Sequence, residues 1–284
     1  MAIFSNQATL TYNGSSTNSN IAYGEILDVL SATKTSVEGV YAPGQLVTYV
    51  VTLRNTGAVA LTGLTVTDDL GGYAFNGTTV YPLTYEANSA ALFIDGVPQA
   101  DPAVTAGPPL VVTGLSVPAG GDLVLVYQAR ANEFADPTAT GTIINTITVT
   151  GDGLNTPATA TETVNGTTAP LLTITKSISP AQVVDNDRVT YTFVIQNSGN
   201  EPVVATDNAA ITDDFDPILT NLVVTFNGIT WTEGVQYNYN EATGLFTTVP
   251  GQITVPAATY TQDPVTGAYA LTPGIATLVV TGTI

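Results

Sequence analysis

The chain contains no cysteine and no histidine. The first absence rules out disulfides and thiolate chemistry; together they exclude Ser–His–Asp and Cys–His nucleophilic systems and most transition-metal sites. Basic residues are nearly missing too, five against 23 acidic ones in 284 residues, for a formal net charge of −18. Such a surface repels phosphate backbones and anionic lipid, so neither nucleic acid nor a membrane is an expected partner. No stretch is long and apolar enough to span a bilayer. No basic segment followed by an apolar core stands at the start, so no ordinary signal peptide is read. Runs with apolar residues at helical spacing are lacking, and there is a single tryptophan, Trp231. Without aromatic clustering around the paired aspartates, a carboxylate site for glycoside hydrolysis is not expected. No EF-hand spacing appears, and the Gly-rich turns are not followed by a helix and lysine. The sequence therefore calls for no cofactor, no metal and no turnover enzyme.

What is present is strand-forming: Thr, Val, Ile and Tyr in period-two alternation, punctuated by 26 Gly and 17 Pro. This reads as all-β, of sandwich type. The chain also repeats itself. "LSATKTSVEGVYAPGQLVTYVVTLRNTGAVALTGLTVTDDL" and "LTITKSISPAQVVDNDRVTYTFVIQNSGNEPVVATDNAAITDDF" match at Lys34 and Lys176, Tyr49 and Tyr191, Asn55 and Asn197, Gly57 and Gly199, and the pairs Asp68–Asp69 and Asp213–Asp214. Three parts follow: residues 1–28, a first domain over 29–168 and a second over 169–284.

The first copy closes with "TIINTITVTGDGLNTPATATETV", a hairpin pattern. The second reaches Ile284 without one, while the chain opens with "IFSNQATLTYNGSSTNSNIAYGEIL", laid out the same way with Asn6 for Asn145 and Glu25 for Glu162. A sandwich without its closing strands exposes an edge that invites a donated strand, as in donor-strand assembly of pilins. Because donor and acceptor surfaces differ, such a contact propagates head-to-tail. The expectation is a homopolymeric filament in which residues 2–28 fill the second domain of a neighbour, with Phe4, Ala8, Leu10 and Tyr12 as anchors. The alternative for residues 1–28 is an extra sheet edge on their own first domain, in a monomeric adhesin or stalk module.

The phrases "VTYVVTLRNTG", "LTVTDDL" and "INTITVTG", with "VTYTFVIQNSG" and "AITDDF" in the second copy, resemble the bacterial and archaeal cell-surface repeat known as domain of unknown function eleven. That resemblance implies immunoglobulin-like sandwiches in extracellular proteins and assigns no activity.

Alternation also places polar residues on apolar faces. Lys34 shares a face with Leu30 and Ala32, Lys176 with Leu172 and Ile174, Asp68 with Leu64 and Val66, and Asp213 with Ala209 and Ile211. Asn145 is in phase with Ile143, Ile147 and Val149, and Asn6 with the four donor anchors. These are the only two lysines in the chain. Burial disfavours a charged amine and a charged carboxylate alike. A neutral amine beside an amide, assisted by an acid, resembles the intramolecular Lys–Asn isopeptide bonds of Gram-positive pilins and adhesins. That implies an internal staple from Lys34, Asp68 and Asn145, and an intersubunit one from Lys176, Asp213 and a neighbour's Asn6. The competing reading is a buried ion pair with the Asn hydrogen-bonded beside it, or strands whose ends turn these polar heads to solvent.

Overall fold

A computed structural model describes residues 2–26 and 28–284. The chain is all-β; one short 3-10 turn, Ala205–Asp207, is the helical exception among the described residues. It divides into two compact units, residues 1–136 with 141–165, and 137–140 with 166–284.

Unit 1 is a sandwich of two antiparallel sheets around one core. The first sheet runs in the order Val97–Pro98, Ala91–Ile94, Asp122–Ala131, Leu46–Asn55, Leu30–Ser36. The second runs Ala103–Thr105, Leu110–Val117, Leu61–Asp68, Thr142–Thr150, Ala158–Gly166, Val40–Tyr41. Strict alternation is why these segments pack as they do. In Leu46–Asn55 every second side chain, from Val47 through Asn55, is buried, and Val51, Leu53, Leu64, Leu125 and Ile147 meet in the middle. Each such side chain contributes about 1.5–3 kcal/mol on leaving water.

Unit 2 repeats the first sheet as Leu172–Ser179, Arg188–Asn197, Gly274–Thr283, Thr220–Phe226, Ile229–Thr230. Its second sheet is reduced to Thr212–Asp214, Leu245–Thr248 and Tyr237–Asn240. The eight-residue strand Leu61–Asp68 is thus matched by three residues, the preceding stretch being taken up by the 3-10 turn and by Asn208 at φ 55°. Leu61–Asp68 lies between two neighbours, whereas Thr212–Asp214 lies at the edge of its sheet.

Residues 2–26 form a ribbon whose strands pair only with each other, Ala2–Asn6 with Ala22–Ile26 and Thr9–Tyr12 with Ser15–Asn18. Among the described residues it adds no edge to either sheet of unit 1. Phe4, Leu10 and Tyr12 are each more than half exposed. The ladder breaks at Gln7–Ala8, so the alternation read through Asn6 and Ala8 is carried by two short ladders. Glu25 faces Ile3, and Asn6 faces Ala22; the Glu25-for-Glu162 match does not reproduce the Asn145–Glu162 pairing of unit 1. The Phe4 ring lies over Gly24, where a Cβ would come within 2.2 Å of it, and that contact holds the free ribbon in its own register.

Two matched asparagines tie loops to sheets. Asn55 is fully buried; its Nδ2 donates to the carbonyls of Val59 (2.8 Å), Val117 (3.3 Å) and Pro118 (3.0 Å), while Oδ1 accepts the Gly57 N–H at 2.9 Å. Asn197 does the same work with Glu201, Pro256, Leu171 and Gly199. Removing Asn55 strands buried backbone groups, at about 1–3 kcal/mol for each one left unpaired. Asn55→Ala is therefore expected to lower the unfolding free energy of unit 1 by about 2–4 kcal/mol, measured by urea titration.

Candidate functional site: a Lys–Asp–Asn cluster in unit 1 and its open counterpart in unit 2

In unit 1 three strands bring the cluster together. Lys34 lies opposite Val51 on the edge strand of the first sheet. Asp68 ends its strand, opposite Leu110 on one side and Ile147 on the other. Asn145 sits two residues from Ile147 on the same face, paired with Glu162 on the return strand. All three side chains are buried. Lys34 Nζ is 2.8 Å from Asp68 Oδ2, and the Tyr127 hydroxyl donates to that same oxygen. The Leu70 N–H donates to Asp68 Oδ1 at 2.7 Å. Tyr49 and Tyr127 stack with centroids 5.6 Å apart, and Lys34 Nζ lies 4.7 Å from the Tyr49 ring centre. Ser36 donates from both N and Oγ to Glu162 Oε1, at 3.0 and 2.6 Å, tying the Lys34 strand to the closing hairpin.

Asn145 differs from Asn55 and Asn197. Neither its Nδ2 nor its Oδ1 makes a well-aligned hydrogen bond; the Tyr49 hydroxyl lies against the amide, close enough to act on that hydroxyl's acidity. An orphaned buried amide costs free energy and is uncommon in native interiors. Burial pushes the Lys34 ammonium below its ordinary value of 10.5, against the opposing pull of Asp68. Burial likewise raises the Tyr49 and Tyr127 hydroxyls, with the Asp68 charge adding to the effect. Burial thus weakens the hold of Lys34 on its proton, and Asn145, buried in the same unit, makes no well-aligned hydrogen bond.

Unit 2 repeats two members of the cluster and leaves the third place open. Lys176 Nζ is 2.5 Å from Asp213 Oδ2, out of hydrogen-bond alignment, and 4.6, 5.2 and 5.5 Å from the ring centres of Tyr191, Phe215 and Phe193. The Lys176 side chain is 39% exposed, whereas that of Lys34 is 0% exposed. Tyr127, which faces Tyr49, is replaced by Val280, which faces Tyr191. Beside the pair runs an apolar groove lined by Leu172, Ile174, Ile195, Ala209, Ile211 and Ile253. The matching inward residues of unit 1, Leu30, Leu53, Leu64 and Val66, are buried. Among the described residues no strand lies against the free edge of Thr212–Asp214. In unit 1 that place is held by Thr142–Thr150, the strand that carries Asn145. The phrase matching that strand includes Asn6, which is exposed on the ribbon opposite Ala22.

Sequence reasoning did not single out Tyr127, although alternation in "LVLVYQARA" puts it on the inward face. It also missed the Ser36–Glu162 tie, a contact between residues 126 positions apart that no local pattern announces. Among the described residues no group of three acidic side chains is placed to hold a metal ion, and no helix is long and apolar enough to cross a membrane.

No protein-family model and no curated protein matches the chain. Among solved structures, the chain is similar to the full-length major pilin SpaD of Corynebacterium diphtheriae, at 13% identity over 85% of this chain and 58% of that one, TM-score 0.37. It is similar to the pilus backbone of Streptococcus pneumoniae, at 12% identity over 86% and 55%, TM-score 0.33. The collagen-binding subdomain of the Enterococcus faecalis surface protein ACE matches half of this chain and all of its own, at 10% identity and TM-score 0.32. Likeness at this level leaves function to be read from this chain's own geometry.

Proposed function

We propose that this protein is a structural subunit of an extracellular filament. Subunits join head-to-tail when the exposed ribbon of one, residues 2–26, enters the groove of unit 2 of the next. The observation that carries this reading is the internal template. Unit 1 holds a hairpin of the same phrase in the place that unit 2 leaves open, with Asn145 buried on the strand that lies against that of Asp68, the partner of Lys34. A lone two-stranded ribbon is marginal in water, and one with large exposed apolar residues gains by being covered. Aligned on unit 1, Phe4, Ala8, Leu10 and Tyr12 take the places of Ile143, Ile147, Val149 and Gly151, of which the first three are buried there. Phe4 and Leu10, the large anchors at buried places of the template, would each contribute about 1.5–3 kcal/mol on burial, against the ordering cost of association.

The covalent step follows the same template. Lys Nζ, having passed a proton to Asp, attacks the Asn Cγ. The Cγ–Nδ2 bond breaks as a Cγ–Nζ bond forms, and the amide nitrogen takes up the protons released and leaves as ammonia. No oxidant or cofactor enters, and each site reacts once. Lys34 with Asn145 gives an internal staple; Lys176 with a neighbour's Asn6 gives a bond between subunits.

Boiling the native assembly in SDS with strong denaturant tests this. Wild type should run as a ladder, and Asn6→Ala and Lys176→Ala should each collapse it to monomer. Deletion of residues 2–20 should in addition abolish polymers under native conditions. If neither the ladder nor the native polymer responds to these changes, donation is wrong.

A further inference from the structure

Each matched strand ends in two adjacent aspartates, and unit 1 gives them separate tasks. Asp68 faces inward to Lys34 and Tyr127. Asp69 faces outward and grips the Asn145 strand. Its N–H donates to the Thr146 carbonyl at 3.0 Å, and its carboxylate Oδ1 accepts the Thr146 N–H at 2.9 Å. The Gly71 N–H donates to the same oxygen at 2.9 Å. In an antiparallel ladder the returning bond ordinarily ends on a main-chain carbonyl. Here the chain turns away at Leu70, whose φ is 51°, and the Asp69 side chain accepts that bond instead.

The residue gripped is the one next to Asn145. That matters because alternation cannot set the register alone. A slip of one residue turns every apolar side chain outward, but a slip of two keeps the faces and moves Asn145 along the strand, away from the Tyr49 hydroxyl. A contact specific to one residue is needed to forbid it.

Unit 2 has Asp214 in the matching place, its side chain exposed and in no hydrogen bond or ion pair among the described residues. Thr212–Asp214 bonds inward to its sheet on either side of this residue, through the Ile211 carbonyl to the Thr248 N–H at 2.9 Å and the Phe215 N–H to the Gly244 carbonyl at 2.9 Å. By the alternation of antiparallel pairing, the Asp214 N–H points to the free edge. The ribbon residue matching Thr146 is Gln7, next to Asn6.

Resting on head-to-tail donation, we infer that Asp214 is the register clamp of the subunit joint. Its carboxylate accepts the Gln7 N–H of the incoming ribbon, its own N–H donates to the Gln7 carbonyl, and Asn6 is thereby set beside Lys176. Asp214 is a positioning residue and takes no part in the bond exchange.

The absence of cysteine allows register to be read directly in the full chain. In unit 1 Thr148 faces Thr67, so the in-register pair of the joint is Thr9 with Thr212. In an Asn6→Ala background, which removes the isopeptide, Thr9→Cys with Thr212→Cys should give a reducible ladder under mild oxidation. Adding Asp214→Ala should cut that ladder about ten-fold, the worth of one charge-assisted hydrogen bond. The slipped pair Thr11→Cys with Thr212→Cys should then gain. Asp214→Asn, which keeps an acceptor oxygen, should restore the in-register product. A ladder indifferent to Asp214→Ala overturns the clamp and leaves donation standing. No ladder from either cysteine pair with Asp214 intact overturns donation, and the clamp with it.

Discussion

The Asn145→Ala variant is expected to melt about 10–15 °C below wild type, and the wild-type polypeptide to weigh one ammonia less at this site than its sequence requires. Lys34 and Asn145 enclose roughly a hundred residues, and a cross-link closing a loop of that size is worth about 4–5 kcal/mol. In a domain of this length each kcal/mol moves the midpoint by about 2–4 °C. The sign of the effect is diagnostic. Without a bond, the Asn145 amide is a buried group with no well-aligned hydrogen bond, and replacing it with alanine would cost little beyond the small cavity left behind. Only a covalent role makes the substitution strongly destabilising.

The pH dependence gives a second readout on the same variant. In Asn145→Ala Lys34 stays a titratable amine, held by burial below 10.5. The unfolded chain then binds more protons than the folded one, so stability rises with pH between the lowered folded value and about 10. Above that, Tyr49 and Tyr127, which burial keeps protonated in the folded state, reverse the trend. In wild type the stapled nitrogen no longer titrates, and the rising limb from Lys34 should be missing. Intact mass, calorimetry and urea titration across pH together decide it. An unchanged mass with an unchanged midpoint would leave a buried ion pair and no staple.

The second large effect concerns the joint. A synthetic peptide of residues 2–26, added in excess to dissociated subunits, should cap the groove and hold the population at monomers and short oligomers. At a hundred times its dissociation constant it should stabilise unit 2 by about 2.7 kcal/mol. A peptide carrying Leu10→Asp should do neither, since it would place an unpaired carboxylate against Ile211 and Ile174. Light scattering against peptide concentration shows the capping, and thermal unfolding shows the gain. Polymers that grow unhindered in saturating wild-type peptide would mean that the ribbon and the groove are not partners.

Much of this was legible in the residues because β-structure writes its faces in alternation. Leu30, Ala32 and Lys34 could be placed on one face, and Asp68 with Leu64 and Val66 on another, without coordinates. The duplication made unit 1 a guide to unit 2. What could not be read is whatever depends on partners distant in the chain or on a local break in the pleat. Asp68 and Asp69 are the same residue type side by side. Their separate tasks arise from opposite sides of the strand and from the turn at Leu70. Glu25 looked like the counterpart of Glu162, yet the Phe4–Gly24 contact and the interruption at Gln7–Ala8 place it opposite Ile3.

By itself, then, the sequence determined the all-β class, the repeat and which polar side chains turn toward apolar faces, because these follow from period two and composition. Tertiary structure alone decided that Asn145 makes no well-aligned hydrogen bond while Asn55 and Asn197 are saturated, that Asp213 sits at a sheet edge while Asp68 sits between two strands, and that Lys176 meets water while Lys34 does not. Those differences are set by what lies across the sandwich from each residue, and a strand's own sequence carries no record of its neighbours.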